Sequence, residues 1–330
     1  MKKAEAKVVD DILRTLKENH SFFITGHTKP DGDTIGCELA MAMWLEKDNK
    51  KVDIVNADSL PGNLSFLPQS RVIKQKEHIK NKNYIYDVGI IFECPDIELM
   101  GNVINLNLLK KIINIDHHTT GNWKQQSANE YKYIAPESSS CAELVWRLMD
   151  KSGHRPSKDE ALCLYTGIVT DTGKFQHSNT TPESLRIASE LIEIGVDPVR
   201  VYKNIYGNKS HGSLKLLSRA LGTLEVKDSI AWLCITRDMY KKTGTDEYDT
   251  EGIVDYAGMI PGVRVFFLLR ELADGNSIKV SLRSYDNIDA GLIAGKFGGG
   301  GHKHAAGFQI EGDINKVKKQ TIKYLRKVIE

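Results

Sequence analysis

The sequence predicts an α/β protein with an N-terminal doubly wound parallel sheet, a helical connector and a smaller C-terminal α/β domain. In the first half of the chain, short runs that are apolar throughout alternate with longer segments of helical periodicity. Such runs are typical of parallel strands buried on both faces, and their alternation with helices favours crossover connections. A second series of strand patterns follows residue 221, so we expect domains at 1–190 and 222–330 and a linker at 191–221.

Four strands and four helices are predicted in the first domain. We expect Thr34 to cap the second helix, because Thr is a favoured residue at that position. The predicted strands are Phe22–Thr25, Val52–Val55, Val88–Phe92 and Ile112–Ile115, and the predicted helices are 1–18, Ile35–Glu46, Ser138–Lys151 and Lys158–Asp171.

The pattern is helical only from Pro182 to about Leu221, with breaks at 195–198 and 207–210. The period then changes, which predicts a second domain of mixed structure. Its predicted strands are Ile230–Ile235, Val263–Leu269 and Ile278–Leu282, and its predicted helices are Ala290–Lys296 and Asn315–Val328.

The composition is that of an ordinary globular protein, with 41% hydrophobic and 27% charged residues. A formal net charge of +2 provides no global field for long nucleic acid, which favours a short anionic ligand at a local site. No apolar run approaches the roughly 20 residues of a membrane helix, and the charged first residues lack a signal-peptide core. We therefore expect a cytoplasmic protein, in which the five scattered cysteines are thiols.

Metal-binding side chains follow the first predicted strand. His27, Asp31 and Asp33 lie within seven residues, directly after an apolar run. Imidazole and carboxylate groups are ligands for Mn²⁺, Mg²⁺ or Zn²⁺. Because Asp31 and Asp33 flank Gly32, they can point in different directions and serve two ions. The alternative is an Asp- and Gly-rich turn with a capping histidine.

Two further clusters repeat this arrangement. Asp116, His117 and His118 follow the apolar run 112–115, and Asp171 ends another apolar run. Residues at the carboxyl ends of parallel strands meet in one crevice, so we expect the clusters to be neighbours. A site for two divalent ions indicates hydrolysis of a phosphate ester. The alternative for the histidines is a His-rich surface loop.

A glycine-rich loop marks the second domain. Four consecutive glycines, 298–301, precede His302 and His304, and their backbone N–H groups can face an anion as in phosphate-binding nests. Arg283, at the end of a predicted strand, can supply a bidentate phosphate contact. The alternatives are a flexible hinge and a solvated arginine.

Taken together, these motifs resemble those of the DHH/DHHA1 phosphoesterases. The resemblance rests on His-x-x-x-Asp-x-Asp-x-x-Gly, Asp-His-His, Thr-Asp-Thr-Gly and Gly-Gly-Gly-Gly-His, in that order over nearly the whole chain. Within the superfamily, the length and layout are similar to those of the nano-RNases. The resemblance implies hydrolysis of short RNA oligonucleotides and removal of the 3′-phosphate of adenosine 3′,5′-bisphosphate (pAp). It also implies two Mn²⁺ ions, with Mg²⁺ or Co²⁺ as alternatives, and no long duplex or membrane partner.

The resemblance assigns a role to each candidate residue. His27 and Asp31 would bind one metal, and Asp33, His117 and Asp171 the other. Asp116 would orient His117 and His118 would contact the scissile phosphate. From the second domain, substrate would be held by Arg283, Gly300, Gly301, His302 and His304.

One position departs from the family pattern. An aspartate that bridges the two metals is expected after the strand at 88–92, and Glu93 stands there instead. Glu is one methylene longer but keeps the carboxylate. Asp96 is a possible substitute, Asp87 is expected to be too far away, and Leu99 lies near the place of a usual arginine.

Three other functions remain open on the sequence. The substrate could be a linear dinucleotide released from cyclic di-AMP. Inorganic pyrophosphate is disfavoured by the glycine-rich loop, since related pyrophosphatases have a different C-terminal domain. The chain could also be a non-catalytic nucleotide- or RNA-binding homologue, although its retained ligand residues argue against that. A homodimer is a further possibility.

Overall fold

The computed structural model describes residues 3–78, 83–118, 123, 129–301 and 303–329. The chain divides into two compact units, Met1–Asn208 and Lys209–Glu330. This division falls within the predicted linker. The segment Pro182–Leu221 contains three helices separated by short breaks, as its pattern predicts.

The N-terminal unit contains a six-stranded parallel sheet and six helices within the described ranges. The strands are β1 Ser21–Thr25, β2 Lys51–Asn56, β3 Lys74–Gln75, β4 Tyr86–Phe92, β5 Leu109–Asp116 and β6 Glu130–Ile134. The helices are α1 Lys3–Glu18, α2 Gly32–Lys47, α3 Cys141–Ser152, α4 Lys158–Asp171, α5 Pro182–Ile194 and α6 Pro198–Ile205. Every predicted strand and helix of this unit is present; β3 and β6 were not predicted.

The strand order is β3-β2-β1-β4-β5-β6, which is the order of a doubly wound sheet. It confirms the predicted fold class. The central strands β1 and β4 are parallel neighbours, with Thr25 beside Ile91. The order reverses between these two strands, so their carboxyl ends form the crevice in which α/β proteins bind ligands.

The two faces of this sheet are covered differently. Helices pack on one face, where Phe22, Ile24 and Phe92 belong to the main core. On the other face, a smaller core is closed by loop segments with the 3-10 turns Ile97–Met100 and Leu106–Leu108. The β4–β5 connection is therefore made by short turns instead of a long helix.

The start of α2 corrects one prediction. Its N-cap is Asp31, whose Oδ1 accepts hydrogen bonds from the backbone amides of Asp33 (3.0 Å) and Thr34 (3.1 Å). Thr34 is therefore inside the helix and does not cap it. Because Asp31 already accepts hydrogen bonds from these amides, the Thr34 hydroxyl is available to another partner.

The C-terminal unit holds a second six-stranded sheet, of order β11-β12-β10-β9-β8-β7. Its strands are β7 Glu225–Lys227, β8 Ile230–Ile235, β9 Val265–Glu271, β10 Ser277–Ser284, β11 Gly300–Gly301 and β12 Ala305–Glu311. Its helices are α7 His211–Leu221, α8 Arg237–Thr243, α9 Asp255–Gly258, α10 Ala290–Gly295 and α11 Ile314–Ile329. All the elements predicted beyond residue 221 are present, and β7, β11, β12, α8 and α9 were not predicted.

This second sheet is mostly antiparallel and has a core on each face. The β8–β9 pair is parallel, and the other strand pairs are antiparallel. One core includes α10 and α11, and the other includes α7 and α9. Over the described part of the chain, no helix is long and apolar enough to cross a membrane.

Candidate metal centre

The predicted ligands come together at the carboxyl edge of the N-terminal sheet. His27 lies in the turn after β1, and Asp33 lies in the first turn of α2. Glu93 directly follows β4, and Asp116 is the last residue of β5. Asp171 is the last residue of α4. Five separate elements therefore bring acidic or imidazole groups to one place.

Two overlapping groups of side chains have the spacing of a metal site. The first consists of His27, Asp31 and Glu93, and the second of Asp33, Glu93 and His117. Within each group the ligand atoms lie within 4.8 Å of one another. Glu93 belongs to both groups. Its Oε2 is 3.8 Å from His27 Nε2, and its Oε1 is 3.4 Å from His117 Nε2.

Glu93 is held in an unusual conformation. Its φ is +53°, in the left-handed region that residues other than glycine rarely adopt. Its backbone amide donates to the Ile115 carbonyl oxygen at 3.1 Å, and its Oε2 accepts a hydrogen bond from the Thr34 hydroxyl. Burial, and then the charges of Asp31 and Asp171, raise the pKa of Glu93 well above its usual value.

The contact made by Nδ1 of the His27 imidazole leaves Nε2 available as a metal ligand. Its Nδ1 lies 2.7 Å from the Thr28 carbonyl oxygen, which can only accept, so Nδ1 carries the proton. In the neutral ring, Nε2 then keeps its lone pair for a metal. The Thr28 amide donates to the Leu99 carbonyl oxygen at 2.6 Å, which anchors this turn.

The side chain of Asp33 faces the N-terminus of α3 and is fully buried. Its Oδ2 accepts from the Cys141 amide at 2.6 Å, and its Oδ1 accepts from the Ala142 amide at 2.9 Å. Burial, followed by repulsion from Glu93, raises the pKa of Asp33 well above its usual value. The helix N-terminus favours the charged form and fixes the direction of the carboxylate.

Asp171 faces His117 from the end of α4. Its Oδ2 lies 3.6 Å from His117 Nε2 and accepts from the Asn179 side-chain amide at 3.1 Å. Burial raises the pKa of Asp171 to about 7, although the charge of His117 opposes this.

Asp116 contacts His118, which differs from the role that the resemblance implied. Its Oδ1 is 2.6 Å from His118 Nδ1 and 3.1 Å from the His118 amide nitrogen. Burial raises the pKa of Asp116, but the hydrogen bond from His118 brings it below its usual value. The expectation that Asp116 orients His117 is corrected: it is His118 that this carboxylate positions.

A divalent metal fits this set of groups. The donors are carboxylate oxygens and imidazole nitrogens, which suit Mn²⁺, Mg²⁺ or Zn²⁺. His117 Nε2 is buried and has no hydrogen-bond partner within the described residues, yet two carboxylates lie within 3.6 Å of it. Buried carboxylates this close together repel one another, and a bound cation removes that cost.

The two other acidic residues considered near Glu93 lie elsewhere. Asp87 is at the start of β4, where it accepts from the Ser21 hydroxyl at 3.0 Å and pairs with Lys110 at 2.8 Å. Asp96 precedes the 3-10 turn Ile97–Met100 and belongs to neither ligand group.

The predicted substrate residues that the structure describes in the C-terminal unit lie in or beside β10, β11 and β12. Arg283 is half-buried near the end of β10, with Nε 3.8 Å from Asp255 Oδ1. Gly300 and Gly301 are exposed and pair with β12. His304 Nδ1 is 3.4 Å from the Ser284 hydroxyl. His302 lies outside the described residues.

The expectation of four consecutive open amides in the glycine loop is wrong. The Gly298 amide donates to the Gly295 carbonyl oxygen at 3.1 Å, and the Gly299 amide donates to that of Ala294 at 3.0 Å. Both are used to end α10, since the last carbonyl groups of a helix need partners. Any anion contact by backbone amides would have to come from the rest of the loop.

Sequence reasoning assigned no role in the site to three contributors. They are the Thr34 hydroxyl, the Asn179 amide and the backbone amides that begin α3. A polar residue directly after the Asp-Gly-Asp turn was a signal for Thr34. The α3 amides carry no side-chain signal at all.

Comparison with known proteins identifies the class of this chain. Residues 21–168 match the DHH family, N-terminal domain, and residues 227–330 match the DHHA1 domain. The chain belongs to the DHH/DHHA1 family, which confirms the family predicted from the motifs.

Its relatives include two proteins named bifunctional oligoribonuclease and PAP phosphatase NrnA. The Thermus thermophilus protein is 30% identical, with 97% of this chain and 93% of the relative covered. The Bacillus subtilis protein is 25% identical, with 91% and 92% covered. Among solved structures, an exopolyphosphatase-related protein from Bacteroides fragilis has a TM-score of 0.89 at 27% identity, with 98% of both chains covered.

Proposed function

We propose that this chain is a two-metal phosphoesterase that hydrolyses short RNA oligonucleotides and removes the 3′-phosphate of pAp. The observation that carries the proposal is the position of Glu93, which is shared by two groups of ligands. A carboxylate between two imidazoles, one from each group, is what a bridge between two ions requires. The names of the relatives supply the substrate class.

We assign the metal-binding residues as the resemblance implies, and the spacing of the two ligand groups supports this assignment. His27 and Asp31 would hold one ion, Asp33, His117 and Asp171 would hold the other, and Glu93 would serve both. We assign Mn²⁺, with Mg²⁺ or Co²⁺ as alternatives, as the resemblance implies, and the oxygen and nitrogen donors are compatible with these ions. Bound in such a pair, divalent ions lower the pKa of a water and neutralise charge on a phosphoryl group.

His118 is assigned to the phosphate itself. Its Nδ1 lies 2.6 Å from Oδ1 of buried Asp116, and this contact fixes the orientation of the ring. An imidazole ring held in this way can direct Nε2 at the phosphoryl group, where negative charge develops during hydrolysis. Arg283, Gly300, Gly301, His302 and His304 are proposed to bind the rest of the substrate.

The first experiment measures turnover of a 5′-labelled RNA dinucleotide and trinucleotide, together with phosphate release from pAp. Each is assayed with Mn²⁺ and with a chelator. Metal-dependent turnover of these substrates is the expected result. Protein that binds metal but hydrolyses none of them would contradict the substrate class and favour another phosphoester. Protein that binds no metal would favour the non-catalytic alternative.

Glu93→Gln tests the shared carboxylate. We expect metal-dependent turnover to fall by at least about 100-fold, since even loss of a residue that only supports a ligand costs up to that much. Glu98→Gln is the matched control, because Glu98 is exposed and only five residues away in sequence. Equal activity in the two variants would overturn the bridging role.

A further inference from the structure

We propose that Thr34 is a positioning residue that fits the longer carboxylate of Glu93 to the metal centre. The inference rests on the proposed function, because it concerns the same ligand. It adds a requirement that the motifs do not state: Glu at this position needs a hydroxyl group opposite it.

The hydroxyl acts on the oxygen that faces the first ligand group. Thr34 donates to Glu93 Oε2, the atom 3.8 Å from His27 Nε2. Oε1 remains directed at His117 Nε2, at 3.4 Å. A Glu side chain has one more rotatable bond than Asp, so its carboxylate has more positions to sample. One hydrogen bond to one oxygen removes that freedom while both oxygens still face the imidazoles.

The backbone at Glu93 shows why this support matters. A left-handed φ of +53° in a non-glycine residue is strained and persists only when surrounding contacts impose it. The Glu93 amide is held by the Ile115 carbonyl oxygen, and the far end of the side chain is held by Thr34. The residue is thus fixed at both ends, which places a longer side chain where a shorter one would be expected.

Thr34 is itself locked in place. It is fully buried in the first turn of α2, and its amide is bound by Asp31 Oδ1 at 3.1 Å. Its Cγ2 methyl group fills the space beside Gly26, where an added Cβ would collide with it. The methyl group faces Gly26 and the hydroxyl faces Glu93, so rotation of this β-branched side chain is blocked.

The test compares Thr34→Val with Thr34→Ser by calorimetric titration with Mn²⁺. Val keeps the shape and lacks the hydroxyl, whereas Ser keeps the hydroxyl. We expect Val to weaken Mn²⁺ binding by about 10- to 100-fold, as loss of a ligand's supporting partner does, and Ser to bind nearly as wild type. Thr34→Ala, which makes no new contact, gives the same comparison should the Val variant fail to fold.

A second background separates positioning from a general structural effect. In Glu93→Asp, the shorter carboxylate does not reach the hydroxyl, so Thr34→Val should change Mn²⁺ affinity less than threefold there. An equal loss in both backgrounds, or wild-type affinity in Thr34→Val, would overturn the pairing of Thr34 with Glu93. Wild-type protein that binds no Mn²⁺ would instead overturn the proposed function, and this inference with it.

Discussion

Asn179 shows how contacts behind a ligand determine its direction. Its side-chain nitrogen lies 3.1 Å from Asp171 Oδ2 and 2.8 Å from the Ser139 carbonyl oxygen. One amide group therefore ties the Asp171 carboxylate to the loop that precedes α3. That loop also leads into the amides that hold Asp33, so both ligands depend on the same local structure.

Replacing Asn179 by Ala should loosen Asp171 and weaken metal binding. We expect about a 10- to 100-fold loss of Mn²⁺ affinity, the usual cost of losing a partner of a metal ligand. Asn204→Ala is the control, because among the described residues the Asn204 side chain donates only to the Arg200 carbonyl oxygen, on a surface helix. Calorimetric titration of the two variants measures the difference, and equal affinities would show that Asn179 does not position Asp171.

The clustering of the candidate ligands could be predicted at this scale, whereas the residues that support them could not. Asp and His are rare enough in close clusters for their spacing to indicate a metal site, and parallel strands bring such clusters to one edge. The bond from Thr34 to Glu93 joins residues 59 positions apart. Hydroxyl and amide side chains occur throughout the chain, so only the folded backbone shows which of them reach a ligand.

At the scale of elements, α2 and α4 approach closely enough to require glycine. An added Cβ on Gly167 of α4 would lie 2.6 Å from Asp33 Oδ1 and 2.7 Å from Ala142 Cβ. The Asp33 carboxylate is a candidate ligand, and the backbone amide of Ala142 donates a hydrogen bond to it. The packing of these helices thus sets the position of Asp33 as directly as its own hydrogen bonds do.

Gly167→Ala should improve helix propensity and still damage the site. An exposed helical Gly→Ala change gains about 0.5–1 kcal/mol, but here the methyl group displaces Asp33, and we expect a loss of Mn²⁺ affinity of about 10-fold or more. Gly295→Ala in α10, where an added Cβ meets nothing within 4 Å, is the control. It should keep full affinity with slightly raised stability in urea unfolding. Unchanged binding by Gly167→Ala would show that the helices can move apart freely.

Long elements were predictable, whereas short edge strands were not. Helices such as Lys158–Asp171 have enough turns for their periodicity to be recognised. The strands β3 and β11 have two residues each, and β7 has three, too few for any alternation to appear. Competition for the same amides explains the error at Thr34, since Asp31 caps α2 from further upstream.

At the scale of the whole molecule, each unit buries its own core. The change from helix-only to strand patterns after residue 221 predicted two domains, whereas the two units divide between Asn208 and Lys209. The antiparallel pairing in the second sheet was not predictable, because β12 lies in a stretch that the glycine and histidine motif made to look like a loop. Burial of charge is the other global property that sequence does not reveal.

Glu38 is an acidic residue whose burial the sequence does not reveal. It is fully buried in α2, where its Oε2 accepts from Asn56 at 2.9 Å and its Oε1 has no hydrogen-bond partner within the described residues. Burial raises its pKa from 4.5 to about 8. Between these two pH values, the Glu38 carboxyl group is therefore protonated in the folded protein and ionised in the unfolded chain.

This difference makes stability fall as pH rises. Between pH 4.5 and about 8, folding takes up a proton at Glu38, so each pH unit costs about 1.4 kcal/mol of unfolding free energy. Gln cannot ionise and accepts the same hydrogen bond from Asn56. We therefore measure urea unfolding of the metal-free wild type and of Glu38→Gln at pH 5, 6, 7 and 8. The free energy of unfolding of the variant should rise steadily relative to that of the wild type as the pH increases. Exposed Glu98→Gln should follow the wild type throughout. A constant difference between wild type and Glu38→Gln would mean that Glu38 is ionised in the folded protein, stabilised by a contact that its Oε1 must then make.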